Sequence, residues 1–320
     1  MKAVLRRLIP AFDLVLWLPA LLSALVMRVV RRIGLGRMPL VGRALSSVGV
    51  TPAVRRYYDP FFDERQAIYP LGTVRELPGI DLATERQLGL LAELDYADEF
   101  VAALANQDAH ARMFSFDNDF YGAGDAELLY AMIRRLRPRT IIEVGSGNST
   151  LIVRLALAAN ERDDAGYRCR HVCIEPFEAR WLPETGAEVI RERVESVDRG
   201  LFDQLGPNDL LFIDSSHTIR PQGDVVVEYL EILPRLAPGV IVHIHDIFTP
   251  RDYPREWVVG RRDMWDEQYL VEAFLTHNLH WEVVLATNHL YRDHHAALAR
   301  VCPYLRPGEH PSSMYLRRTS

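Results

Sequence analysis

An acid followed by two closely spaced glycines, Glu143-Val144-Gly145-Ser146-Gly147, is the first place where residue types and spacing could do chemistry. Neither glycine has a Cβ, so the backbone there can turn tightly and bring its N–H groups near a ligand. Apolar Ile141 and Ile142 lead into the loop, and a helical pattern leaves it at Ser149. Strand, glycine loop and helix N-terminus in that order is how doubly wound α/β proteins meet a nucleotide-like cofactor. Thr150 stands where a dinucleotide fingerprint would place its third glycine, which weighs against a NAD or FAD site. Further acids and histidines each follow a short apolar run: Glu175, Asp214 and the pair His245-Asp246.

Those runs are the elements that must position the candidates. The pattern predicts strands over 140–144, 170–174, 188–191, 209–213, 240–244, 281–285 and 313–316. Helices are expected over 125–136, 149–159, 177–181, 221–236 and 267–278, with Pro138 ending the first of them. Near-continuous apolar strands alternating with helices describe a mostly parallel sheet covered on both faces. The fold class is therefore α/β, Rossmann-like and doubly wound. Ligands of such sheets sit beyond the carboxyl ends of the strands, where every one of these acids stands.

The ordered set resembles the class I S-adenosylmethionine-dependent methyltransferases. More narrowly, Phe212-Ile213-Asp214-Ser215-Ser216-His217, His245-Asp246-Ile247-Phe248 and Trp265-Asp266-Glu267-Gln268-Tyr269-Leu270 resemble one bacterial subfamily. Its members are related to macrolide-sugar O-methyltransferases and to proteins labelled cephalosporin hydroxylase. The resemblance runs from Phe114 to Arg317. It implies S-adenosylmethionine as cofactor, with Gly145, Ser146, Gly147 and Ser149 around the methionine carboxylate and Glu143 accepting from the α-amino group or a backbone donor. Glu175 would take the ribose diol, since a carboxylate accepts from two hydroxyls at once. Glu195 and Ser196 stand where the family contacts adenine, and Asp214 closes the set.

His217, His245 and Asp246 are the candidates for catalysis. Methyl transfer is an in-line displacement in which positioning contributes much of the rate, and a hydroxyl acceptor must also lose a proton, which suits histidine. Related sugar and catechol enzymes hold magnesium on strand-end acids, and Asp214 and Asp246 match those positions. His245 departs from the acid expected beside Asp246, and magnesium prefers oxygen ligands. Two readings follow: a metal-free site with His217 or His245 as base, or a more nitrogen-tolerant metal. His243 reads as a core histidine on the same strand face as His245, and His294-His295 as a solvated helix start. Glu267, Gln268 and Tyr269, with Arg251, Tyr253 and Trp257 on the loop after the fifth strand, are expected near the acceptor.

The expected function is O-methylation of a small polar or glycan-linked acceptor. Its competitors are a nucleotide-linked oxidoreductase and a membrane-anchored scaffold that binds cofactor without turnover. The 320 residues divide as an apolar segment over 1–40, a helical accessory region over 41–113 and the methyltransferase domain over 114–320. Within the accessory region Tyr57-Tyr58-Asp59-Pro60-Phe61-Phe62 is an aromatic patch suited to packing, and Asp81 a helix cap. The loop 116–124 could cover the cofactor. The formal charge of −6 argues against a general nucleic-acid binder, and Cys169, Cys173 and Cys302 read as buried reduced thiols.

Leu14 to Met27 is an apolar run with Arg6 and Arg7 before it and Arg28, Arg31, Arg32 and Arg37 after it. About 14 residues make a helix of roughly 21 Å, short of a ~30 Å hydrocarbon core. Asp13, Pro10 and Pro19 interrupt any longer reading. A re-entrant or in-plane anchor through residues 8–32 at the cytoplasmic face of the cell membrane, arginines at the headgroups, fits better than a span. The other reading is a buried helix that docks on the catalytic domain or makes a dimer. The sequence is compatible with a homo-oligomer without specifying one.

Overall fold

A computed structural model describes residues 2–54, 61–108 and 110–320, with side chains from residue 8 onward. Tyr57 to Pro60 of the aromatic patch lie outside the described residues. The chain divides into two compact units, Met1–Ile68 and Tyr69–Ser320.

In the first unit, α1 (Lys2–Ile33) is followed by α2 (Pro39–Ser47), which opens on a proline that needs no N–H partner there. Helix α1 runs unbroken through Pro10 and Pro19, so neither proline nor Asp13 ends it as the composition suggested. Its stretch Leu8–Ile33 has 26 residues and contains an 18-residue window of mean hydropathy 2.0. At about 1.5 Å per residue it reaches ~39 Å, longer than a hydrocarbon core. By length and composition this helix could cross a membrane.

The second unit begins with α3 (Thr84–Glu93), α4 (Ala97–Ala105) and α5 (Asp125–Leu136). Then β1 (Thr140–Val144), α6 (Asn148–Asp163), β2 (Arg170–Ile174), β3 (Glu188–Ile190), β4 (Leu210–Ile213), α7 (Asp224–Val227) and β5 (Ile241–Ile244) alternate. The chain closes with α8 (Glu267–Leu275), β6 (Trp281–Ala286), α9 (Thr287–Asp293), α10 (His295–Val301) and β7 (Met314–Arg318). The sheet order is β3-β2-β1-β4-β5-β7-β6, and only β7 pairs antiparallel, with both its neighbours.

Strand alternation sorts the core onto two faces. Ile141, Leu210, Phe212 and Tyr315 pack with Leu128, Tyr130 and Ile152 of α5 and α6. Ile142, Val172, Leu211 and Val242 pack with Val225, Tyr229 and Val271 on the other face. Leu91 of α3 and Phe100 of α4, with Leu94 between the two helices, join the first of these cores.

Two expected helices differ. Residues 177–181 form no helix; a 3-10 turn at Leu182–Thr185 replaces it, with Pro183 at its start. Residues 221–236 begin only at Asp224 and pass through a π turn (Glu228–Ile232) into a 3-10 turn containing Pro234. Asp81 does not cap α3: it accepts from the Ala83 N–H at 2.8 Å, and α3 starts behind a left-handed Ala83.

Candidate functional site

The parallel ladder carries the key residues one step past the strand ends. Gly145 N–H donates to Ile174 O, Asp214 N–H to Val144 O at 2.8 Å, and His245 N–H to Ile213 O at 2.9 Å. Backbone pairing thus fixes the loop, the acid and the histidine along one edge. The two glycines have different reasons to be glycine. Gly145 has φ +78°, and a Cβ on it would lie 1.8 Å from the carbonyl oxygen of Asp214. A Cβ on Gly147 would meet open space, and Gly147 lines a cavity.

Three cavities open along this edge, and Asp214 lines all of them. The first, of about 270 Å³, also takes in Glu175, Phe177, Arg193 and Glu195. The second, of about 350 Å³, follows the loop from Gly145 to Ser149 and includes Glu175, Arg112, Tyr121 and Trp181. The third, of about 680 Å³, is walled by Tyr121, Asp125, His217, His245, Asp246, Trp257, Trp265 and Ser312.

Most of the loop's expected ligand-facing residues do face a cavity. Ser146 lines the second one, and its buried hydroxyl has no hydrogen-bond partner among the described residues. Ser149 lines it too while donating to Glu143 at 3.1 Å. The Oε1 of Glu175 accepts from the N–H groups of Phe177 and Glu178, 2.8 Å each, which holds the side chain at the junction of two cavities. Glu143 is placed elsewhere: fully buried, it lines none of the three cavities and accepts from Ser149, Thr150 and His171. Its register on β1 sends it toward α6 beneath the loop, which it braces. Exposed Ser196 is not among the residues lining the first cavity, whereas Glu195 is.

The third cavity gathers the titratable groups. His217 Nε2 lies 3.2 Å from Asp214 Oδ1 and 3.5 Å from Asp246 Oδ2. Its Nδ1 lies 2.8 Å from Glu267 Oε2. His245 Nδ1 lies 3.6 Å from both Asp214 Oδ1 and Asp246 Oδ1, and its Nε2 3.5 Å from Asp125 Oδ2. His217 and Asp246 both have left-handed backbone, φ 57° and 59°, a strained conformation for residues with side chains.

Burial alone would push both imidazoles toward the neutral form, but carboxylates outweigh it. Asp214 and Glu267 raise His217 well above the usual histidine range; Asp246 and Asp214 do the same for His245. Burial pushes Asp214 up, and the two histidines overcome this to hold it well below the usual carboxylate range. In Asp246 burial wins, and its carboxyl is raised. His243 is the core histidine the strand pattern implied: fully buried, stacked 4.4 Å from Phe212, and lowered to about 3 by burial and by neighbouring His245.

Asp214, His217 and Asp246 each present one ligand atom, all within 4.8 Å of one another. Two oxygens and an imidazole nitrogen fit a nitrogen-tolerant divalent ion better than magnesium. Competing with that use, the His245 ring sits between the two carboxylates. Buried Glu143, His171 and Cys173 also cluster, but His171 Nε2 is already engaged 2.7 Å from Glu143.

Several expected acceptor-side residues line none of the three cavities. Glu267 is fully buried, Gln268 bonds the Phe248 N–H and the Arg251 carbonyl, and the Tyr269 hydroxyl donates to Asp252. Arg251 pairs with Asp293, and Tyr253 is buried, its hydroxyl accepting from Gln268 N–H. Trp257 does line the cavity. Trp265 joins it, its ring 5.1 Å from Trp257 and 4.4 Å from His217, while Arg261 lies 4.5 Å over Trp257.

Asp125 is the residue sequence reasoning missed. The first residue of α5, it accepts from the N–H groups of Ser312 and Ser313 and the Ser313 hydroxyl, facing His245. Arg112, stacked 4.4 Å over Trp181, was missed as well. The loop 116–124 lines the second and third cavities through Phe120 and Tyr121 and is tied to α6 by Asn118 and Asn148.

A family profile described as a methyltransferase domain matches residues 142–247, from the glycine strand through His245-Asp246. An uncharacterized protein of Archaeoglobus fulgidus is 30% identical over 168 residues, covering 49% of this chain and 73% of its own. An O-methyltransferase from Bacillus cereus, solved in complex with SAH, matches at 14% identity and TM-score 0.38, over 73% of this chain and 90% of that one. The O-methyltransferase TomG from Streptomyces achromogenes, involved in tomaymycin synthesis and solved with SAM, matches at 16% identity and TM-score 0.35, over 77% and 92%. Likenesses that distant carry over neither a site nor an acceptor.

Proposed function

This chain belongs to the class I S-adenosylmethionine-dependent methyltransferases, and we propose that it methylates a hydroxyl group of a small polar or glycan-linked acceptor. One observation carries the reading: the glycine-loop cavities and the histidine cavity meet at Asp214. S-adenosylmethionine supplies an electrophilic methyl group on a sulfonium cation. Glu175 receives the ribose diol, Glu195 lies toward the adenine, and the loop N–H groups with Ser146 and Arg112 receive the carboxylate. Asp214 then faces the sulfonium while the acceptor oxygen stands in the third cavity against Trp257 and Trp265.

The acceptor oxygen bonds to the methyl carbon as the carbon–sulfur bond breaks, and the hydroxyl proton passes to His217 Nε2. In the free protein Asp214 and Glu267 favour the charged form of His217, and Asp246 and Asp214 that of His245. Once Asp214 faces a sulfonium, its pull on those protons is shared, so His217 releases its Nε2 proton to solvent and, as a neutral imidazole, can accept the one from the acceptor hydroxyl. The His245 ring sits between Asp246 and Asp214, with its Nε2 3.5 Å from Asp125 Oδ2. In this reading the site works without a metal. Were an ion bound, Asp214, His217 and Asp246 would hold it, and it would polarise the acceptor hydroxyl.

Calorimetry tests the donor half: the wild type should bind S-adenosylmethionine, and Glu175→Ala should weaken binding about tenfold or more, one lost charge-assisted bond. A wild type that binds none would end the proposal. Turnover against a panel of glycosides and phenols, repeated after EDTA treatment, tests the acceptor half; activity abolished by EDTA and restored by a divalent ion would reverse the metal-free reading.

We further propose that α1 holds the protein at the cytoplasmic face of the cell membrane, lying in the interface with Arg28, Arg31 and Arg32 at the headgroups. The exposure of Leu14, Trp17, Leu22 and Leu25 supports this.

A further inference from the structure

We propose that Glu267 is the positioning residue for His217, gripping the ring by Nδ1 so that Nε2 alone faces the cavity. This rests on the methyl-transfer reading for its purpose, though not for its geometry. Glu267 is fully buried, and a carboxylate there must be matched by donors. It has two: His217 Nδ1 lies 2.8 Å from Oε2, and the Tyr229 hydroxyl donates to Oε1 at 2.8 Å.

The first turn of α8 also grips the His217 backbone. The N–H groups of Asp266 and Glu267 both donate to the His217 carbonyl, at 2.9 and 3.2 Å, and Asp266 Oδ1 accepts from the Ile219 N–H. Trp265 packs against the ring 4.4 Å away. Main chain, ring nitrogen and ring face are thus all set by Trp265-Asp266-Glu267, and the left-handed backbone at His217 is held from outside.

Nδ1 carries a hydrogen in the charged imidazole and in the tautomer that Glu267 favours. The nitrogen left to the cavity is therefore Nε2, which points to Asp214 and Asp246. A merely structural carboxylate would have no such consequence, because the backbone bonds alone would keep the segment in place.

Glu267→Gln separates the two roles. With the backbone bonds retained, the variant should fold and bind S-adenosylmethionine with unchanged affinity. Its kcat should fall about 10- to 100-fold with KM little altered, the usual size of an orienting-carboxylate effect. In 15N-histidine-labelled full-length protein, the wild type should show a far-downfield, slowly exchanging Nδ1 proton on His217, which moves upfield in Glu267→Gln. Should that variant not fold, Tyr229→Phe, which removes one of the two donors to Glu267, should shift the same proton in the same direction by less. A wild-type His217 Nδ1 proton that exchanges freely, or a Glu267→Gln enzyme with wild-type kcat, overturns the proposal. The proton signal needs no turnover, so a wild type inactive on every acceptor would count against methyl transfer while positioning is still decided by the spectrum.

Discussion

Gly145 and Gly147 look alike in sequence and are constrained by opposite neighbours. A methyl group on Gly145 would collide with the Asp214 backbone and would have to adopt φ +78°. Gly145→Ala should therefore separate β1 from the end of β4 and lower stability by more than ~1–3 kcal/mol, the cost of left-handed strain alone. Gly147→Ala meets nothing in the protein, so its melting temperature should stay near wild type while affinity for S-adenosylmethionine falls, the methyl group projecting where a ligand must approach. Melting curves and calorimetry on the pair check this; equal destabilisation of both would be the contrary result. Glu175, Asp214 and His245-Asp246 were legible because each directly follows an apolar strand. The contacts of Asp125 and Glu267 were not, since their partners lie at Ser312 and His217, and no local spacing marks such long-range contacts.

At the scale of the element, α5 was legible from its periodicity and from Pro138, but not the task of its first turn. Glu127 accepts from the N–H groups of Gly124 and Tyr304 while almost wholly buried. Burial raises its carboxyl from 4.5 to about 7, against those bonds. Between these values the folded protein keeps a proton that the unfolded chain has released. Stability from this group therefore falls as pH rises through that window, and the full cost is present above about 7. At ~1.4 kcal/mol per unit the cost is on the order of 3 kcal/mol. Glu127→Gln, neutral throughout, should show a flatter stability profile than wild type between about pH 5 and 8 in denaturant titrations. Parallel profiles would show that Glu127 ionises in the fold without cost. The π turn after α7 was illegible for a related reason: Pro234 and buried Glu228 break a pattern that apolar spacing alone reads as one helix.

For the whole molecule, the sheet was readable because a parallel α/β unit writes each strand as a bounded apolar run, and the antiparallel closure by β7 was not, because pairing order leaves no local trace. The N-terminal unit inverts this relation: its composition was conspicuous, but its length was underestimated, because Pro10 and Pro19 were taken to break a helix that continues through them. A continuous Leu8–Ile33 removes the objection that the segment is too short to span, leaving charge as the ground for an in-plane anchor. Lys2, Arg6 and Arg7 on one side and Arg28, Arg31 and Arg32 on the other would put cations on both faces of a bilayer if the helix crossed it. Lying in the interface, the helix would keep all of these cations on one leaflet. The full-length protein should sediment with membranes, and alkaline carbonate should release it, since an interfacial helix is held by a shallow apolar face and by charge. Resistance to carbonate would establish a span, and a full-length protein soluble in low salt would remove the anchor altogether. Deleting residues 1–40 should free the protein from membranes and leave S-adenosylmethionine affinity unchanged, because every residue assigned to the cofactor lies in the unit from Tyr69 onward.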